Sequence, residues 1–146
     1  MKIILIGRTK VLLDSAKLLD LKGYQIVGII TSKASTEYKV NEVDFRNYAK
    51  KLNVPFLHDP KINTKTLQDH FGKTKPDIAI SINYSGIISL DVINFFPHGV
   101  LNAHGGDLPK YRGNACQAWA IINGEDKIGL CIHKMIGGEL DSGDIL

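Results

Sequence analysis

KIILIG at residues 2–7, VLLDSAKLLDL at 11–21 and QIVGIIT at 25–31, with Gly23 between the last two, decide the fold. The first run is continuously apolar and ends in glycine, the pattern of a strand covered on both faces. The second carries apolar residues at Val11, Leu12, Ala16, Leu18 and Leu19, a helical stripe. Gly23 suits the left-handed turn that closes such a helix. The third run reads as a second buried strand. Outward from this β-α-β unit the alternation continues. A polar loop at 32–41 precedes a helix over 43–52 and a short strand over 54–57. Asn63 caps a helix to Phe71, and Pro76-Asp77 opens a strand over 78–82. A loop at 83–86 leads to a short helix near 90–94 and a strand over 99–103. A helix over 114–123 ends at Gly124, and the last strand spans 128–136. Strands alternating with helices predict an α/β fold, a Rossmann-like, doubly wound and mostly parallel sheet. Ligands of such sheets bind at the carboxyl ends of the strands, so the loops after residues 82 and 102 are expected to face one site. The apolar run Ile145-Leu146 has no cap, which predicts a single domain over 1–146 that lacks its last elements, with residues 137–146 mobile or held by a second chain.

The chain has 146 residues, 44% of them hydrophobic and 23% charged, which fits one soluble domain with one core. Its net charge of +3 comes from lysines scattered along the chain, which argues against nucleic acid as the main ligand and leaves room for small anions. No apolar run is long enough to span a bilayer, and Met1–Ile6 lacks the layout of a signal peptide, so a cytoplasmic location without a membrane partner is expected. Cys116 and Cys131 sit among apolar neighbours without metal-ligand spacing and read as reduced, buried thiols. No His/Cys/Asp/Glu cluster has the spacing of a metal site, so no metal is expected. The first turn, Gly7-Arg8-Thr9-Lys10, is no G-x-G-x-x-G cradle, and there is no Walker A sequence, which weakens a dinucleotide or nucleoside-triphosphate reading.

The chemistry concentrates in LNAHGGDLPKYRG at 101–113 and GELDSGDIL at 138–146. On a strand, Asn102 and His104 point to one face. Asp141 adds a carboxylate from a glycine-rich turn. An amide donor, an imidazole and a carboxylate together can stabilise an oxyanion and move a proton. Each alone has a plainer reading: Asn102 as a turn residue, His104 as a surface imidazole, Asp141 as a turn former. Pro109 and Gly113 frame a rigid loop in which Tyr111 and Arg112 offer an aromatic surface and a cationic fork, either as a self-packed loop or as the wall of a pocket for an anionic substrate. His133, in an apolar strand, reads as a packed or hydrogen-bonded residue. Trp119 reads as core, His58, His70 and His98 as structural or solvent-facing, and Asp107 and Asp144 as solvated or capping residues.

Asn102-x-His104-x-x-x-Leu108-Pro109-x-Tyr111-Arg112-Gly113, Trp119-Ala120-Ile121-x-x-Gly124, Gly129-x-x-x-His133 and Asp141-x-Gly143-Asp144-Ile145 together resemble the N10-formyltetrahydrofolate-dependent formyltransferase family. The likeness is close from about Asp77 onward and limited to the β-α pattern before it. The resemblance implies a catalytic set of Asn102, His104 and Asp141. It implies a folate site formed by Asn83, Tyr84, Ser85, Gly86 and Ile87 on one side and Gly137, Gly138, Glu139 and Leu140 on the other. It gives Tyr111, Arg112 and Gly113 to the amine acceptor. The implied cosubstrate is N10-formyltetrahydrofolate, with no metal, small molecules as partners and a homodimer as one assembly. Tyr111-Arg112-Gly113 and Trp119-Ala120-Ile121 look most like the branch that formylates amino-sugar nucleotides, with methionyl-tRNA and glycinamide ribonucleotide as alternative acceptors. One departure, Gly106-Asp107 where the family often carries serine or alanine, touches the acceptor contacts. A silent folate- or nucleotide-binding fragment is the reading from a different class.

Overall fold

A computed structural model describes residues 1–146. Its elements run β1 (Lys2–Gly7), α1 (Lys10–Leu21), β2 (Gln25–Thr31), α2 (Glu42–Leu52), β3 (Phe56–His58), α3 (Thr64–Phe71), a 3-10 turn (Gly72–Thr74), β4 (Ile78–Ile82), α4 (Leu90–Asn94), β5 (Val100–His104), α5 (Cys116–Ile122) and β6 (Cys131–Lys134). The six strands form one sheet in the order β3-β2-β1-β4-β5-β6. All neighbours are parallel except β5 and β6, which are antiparallel. This is the doubly wound arrangement expected, with the chain direction reversing its progress across the sheet between β1 and β4.

Period-2 alternation in β1 divides the core between two faces. Ile4 and Ile6 pack with Leu67 and Phe71 of α3 and with Val92 and Ile93 of α4. Ile3 and Leu5 pack with Leu12, Leu13 and Ala16 of α1 and with Phe45 and Ala49 of α2. Each such fully buried side chain contributes about 1.5–3 kcal/mol relative to exposure. Gly28 in β2 is required by this packing, because a Cβ there would come within 2.5 Å of the Phe71 ring.

The caps explain the boundaries. Asn41 accepts the Val43 N–H at the start of α2, and Asp44 reaches back to the Asn41 N–H, each at 2.8 Å. Asn63 accepts the Thr66 N–H at 2.9 Å at the start of α3, as its sequence position predicts. Gly23 follows α1 with φ +84°. Four expectations change. The strand anticipated over 128–136 is confined to Cys131–Lys134, because Lys134 is already followed by the turn that carries Gly137 and Gly138. The helix anticipated from Asn114 starts at Cys116, because Ala115 is left-handed at φ +57°. Trp119 is 56% exposed rather than core, because α5 buries only the narrow stripe of Cys116 and Ala120 against Tyr111. Cys131 is half-buried, whereas Cys116 is buried as expected. Residues 144–146 fold back along β6. Lys134 N–H donates to Asp144 O and Leu146 N–H to Ile132 O, each at 2.9 Å, with His133 and Ile145 bridged.

Candidate active site

β5 ends on His104, so Asn102 and His104 occupy one face at the carboxyl end of a strand that pairs parallel with β4 and antiparallel with β6. Across the antiparallel ladder Asn102 stands directly opposite His133, which puts the second imidazole on the same face. Asp141 reaches this face from the turn after β6. It is left-handed at φ +48°, a conformation that aspartate tolerates better than most residues. Gly143 holds the turn against β6; a Cβ there would sit 1.7 Å from the Lys134 carbonyl oxygen.

One carboxylate thus serves two imidazoles and a backbone amide. Asp141 Oδ2 lies 3.5 Å from His104 Nδ1, Oδ1 lies 3.3 Å from His133 Nε2, and Gly113 N–H donates to Oδ2 at 2.9 Å. All three side chains are withdrawn from water, with His133 at 1% and His104 at 7% exposure. Asn102 Nδ2 lies 3.2 Å from His133 Nε2. The other ring nitrogens meet backbone carbonyls: His104 Nε2 at 2.6 Å from Tyr111 O, and His133 Nδ1 at 3.3 Å from Lys134 O. A carbonyl only accepts, so each of these nitrogens carries a hydrogen. The two imidazole planes stand edge to face, with centroids 6.2 Å apart. Cys116 Sγ lies 3.4 Å from His104 Nε2 and donates toward the Tyr111 and Gly113 carbonyls. Burial, reinforced by the Asp141 charge, pushes the Cys116 thiol up, so it acts here as a weak donor and filler rather than as a thiolate.

The structure therefore brings Asn102, His104 and Asp141 together and adds His133, which the sequence reading had treated as a packed strand residue. The sequence signal for it was its place in the motif Gly129-x-x-x-His133; its pairing with Asn102 appears only in the strand register. Tyr111 is placed differently from the pocket wall anticipated for it. Its ring is buried under α5 and its hydroxyl donates to Glu125 at 2.9 Å and accepts from Asn123 at 3.1 Å, so it offers the site its carbonyl. Gly113 offers its N–H. Arg112 is half-exposed, 3.7 Å from Glu139.

The residues expected to hold folate lie on two segments, 83–87 ahead of α4 and 137–140 after β6, and Gly137 packs on Leu90 of α4 with no room for a Cβ between them. Asn83 is left-handed at φ +53°, its carbonyl accepting from Arg8 at 3.2 Å and its amide donating to Tyr38 at 3.2 Å. Tyr84 donates to the Asp59 carbonyl, and Ser85 N–H points to Ser32 Oγ at 3.4 Å. Gly86 passes against the Pro60 carbonyl where a side chain has no space. Ile87 and Leu140 expose apolar side chains on the two segments, and Glu139 is open to solvent. Apolar surface beside oriented backbone groups suits a flat heteroaromatic ring that stacks and hydrogen-bonds through its edge. No cluster of side chains suits a metal ion, and no helix is long and apolar enough to cross a membrane.

Comparison with known proteins bears on this arrangement. Residues 1–146 match the family model described as formyl transferase. A methionyl-tRNA formyltransferase of Sulfurihydrogenibium sp. (strain YO3AOP1) is 33% identical over 149 aligned positions, which cover 99% of this chain and 48% of that protein. The chain thus spans about half the length of the curated relatives it matches. Among solved structures, glycinamide ribonucleotide transformylase 1 from Symbiobacterium toebii superposes with a TM-score of 0.77 at 18% identity, covering 100% of this chain and 70% of that one. A formyltetrahydrofolate deformylase from Pseudomonas syringae pv. tomato str. DC3000 gives 0.76 at 22% identity, covering 99% and 48%. At these identities the structural likeness establishes the fold.

Proposed function

Because the chain belongs to the formyl transferase family, we propose that it transfers a formyl group from N10-formyltetrahydrofolate to a primary amine. The observation that carries this reading is the convergence of Asn102, His104 and His133 on the Asp141 carboxylate at the carboxyl end of β5. In the reaction the amine nitrogen attacks the formyl carbon and the carbonyl oxygen becomes an oxyanion. The Asn102 amide donates to that oxygen. The attacking nitrogen must lose a proton and the folate N10 must gain one before the C–N10 bond breaks. His104 carries that proton, with Asp141 balancing the imidazolium charge. The folate ring is assigned to the segments 83–87 and 137–140.

For the acceptor, the motifs Tyr111-Arg112-Gly113 and Trp119-Ala120-Ile121 favour an amino-sugar nucleotide, with Arg112 facing its anionic part. A second reading, methionyl-tRNA, is favoured by the 33% identity to a methionyl-tRNA formyltransferase. The test incubates the chain with N10-formyltetrahydrofolate and, separately, an amino-sugar nucleotide, methionyl-tRNA and glycinamide ribonucleotide, following release of tetrahydrofolate. Transfer to one acceptor is expected, with His104→Ala lowering turnover by orders of magnitude at nearly unchanged folate affinity in calorimetry. Absence of both folate binding and transfer overturns the reading, and binding without transfer reduces the chain to a folate-binding module.

A further inference from the structure

His133 makes three contacts that its ring cannot satisfy in one protonation state. Nδ1 faces the Lys134 carbonyl at 3.3 Å and so carries hydrogen. Nε2 faces the terminal nitrogen of Asn102 at 3.2 Å and a carboxylate oxygen of Asp141 at 3.3 Å. In the neutral ring Nε2 is bare. It accepts from the Asn102 NH2, and the Asp141 oxygen meets a lone pair. In the imidazolium Nε2–H donates to Asp141, and the Asn102 NH2 then meets an N–H. The amide removes that conflict by turning about its last bond, presenting oxygen to His133 and swinging its NH2 to the opposite side.

We propose that His133 is a positioning residue for the oxyanion donor: hydrogen on its Nε2 turns the Asn102 amide so that the NH2 leaves His133 and faces the reacting carbonyl. This deepens the formyl-transfer reading and rests on it for the identity of the reacting group. The switch itself rests on geometry alone. The step conserves atoms and charge: one proton from solvent binds Nε2, the amide rotates, and no covalent bond other than N–H forms. The Asp141 carboxylate is the anion that faces this ring, which is 1% exposed. The groups facing His133 that can also titrate are Asp141 from the following turn and His104 from β5, 6.2 Å away between ring centroids. On its own strand, Cys131 lies two residues earlier on the same face. His104 is turned from Asn102 by its own contact with Tyr111, so His133 alone addresses the amide.

The experiment is a pH titration of the 146-residue chain by NMR, reading the ring nitrogens of His133 and the side-chain NH2 of Asn102. The expected result is an Nδ1–H ring with bare Nε2 at high pH, a doubly protonated ring at low pH, and Asn102 NH2 resonances that move with the same midpoint. His133→Gln, which keeps His104 and Asp141, should abolish that movement of the Asn102 signal. An Asn102 signal that still titrates in His133→Gln, or one that stays fixed while His133 titrates in the parent chain, overturns the proposal. In the transfer assay His133→Gln should lower kcat rather than raise KM and should flatten the alkaline limb of the pH profile. An unchanged profile also overturns it. If the parent chain transfers no formyl group, the NMR result still decides the switch, while the functional reading falls separately.

Discussion

Replacing Asp141 by asparagine removes one charge and almost nothing else. Asparagine tolerates the left-handed backbone at this position, φ +48°, and its oxygen can still accept the Gly113 N–H that Asp141 receives at 2.9 Å. The imidazole of His104, 3.5 Å away, loses the anion that balances it when it holds the transferred proton. A hydrogen bond to a charged group is worth about 1.5–3 kcal/mol, which corresponds to a loss of about 10- to 100-fold in turnover. Stability should hardly change. Asp141→Ala is the contrast. It places a Cβ residue without a local acceptor in the left-handed region, costing about 1–2 kcal/mol, and it orphans the Gly113 N–H, costing about 1–3 kcal/mol. For a domain of this size each kcal/mol lowers Tm by about 2–4 °C, so a drop of roughly 5–20 °C is expected for alanine alone. Thermal melts followed by circular dichroism, run beside the formyl-transfer assay, read both effects. Equal melting of the two variants would refute the tether to Gly113. Full turnover in Asp141→Asn would refute the need for charge at this place.

Other outcomes follow from features away from Asp141. Burial pushes the Tyr84 and Tyr48 hydroxyls up to about 12, with Asp59 and Asp20 adding to it respectively. Both rings stay neutral in the fold while the unfolded chain ionises near pH 10, so their contribution is complete below pH 10 and is lost as pH rises to 12. Urea unfolding across that window should show a shallower alkaline decline in Tyr84→Phe than in the parent, and an unchanged slope would contradict the burial. Gly28→Ala drives a methyl into the Phe71 ring and should destabilise by about 1–3 kcal/mol in the same assay, with a neutral result showing that β2 and α3 are packed otherwise. Trp119, exposed on α5, should emit at the long wavelength of a hydrated indole and be quenched readily by iodide; protected, blue-shifted emission would return it to the core.

Most of the sheet was legible because β1, β2 and β4 are continuous apolar runs bounded by glycine or Pro-Asp, signals that local sequence carries in full. Asn102 and His104 were legible for the same reason, since a two-residue spacing at a strand end fixes their common face. His133 was not. Its partnership with Asn102 depends on the register and antiparallel direction of β6, and nothing in the residues 131–134 specifies either. Trp119 misled because helical spacing records which residues could share a face, not which face meets another element. The cover for α5 is Tyr111 with a partly buried Ile128, and it takes in the small side chains Cys116 and Ala120. The role of Tyr111 was hidden in the same way, because its useful atom is a carbonyl, which sequence never displays.

The placement of the four polar residues separates the durability of the site from that of the fold. β6 touches the sheet through β5, and residues 144–146 fold along its outer side. The apolar clusters on the two faces draw on β1, β2, β4 and the helices, and none of their fully buried members comes from β6. A fluctuation that peels β6 and its turn from the edge leaves both clusters intact while taking His133 and Asp141 away from Asn102 and His104. Such a molecule is folded by every bulk criterion and chemically blank. Amide exchange at Lys134 and Met135, whose N–H groups bond to Asp144 and Val100, would report the fraction of assembled sites far better than any global melting curve.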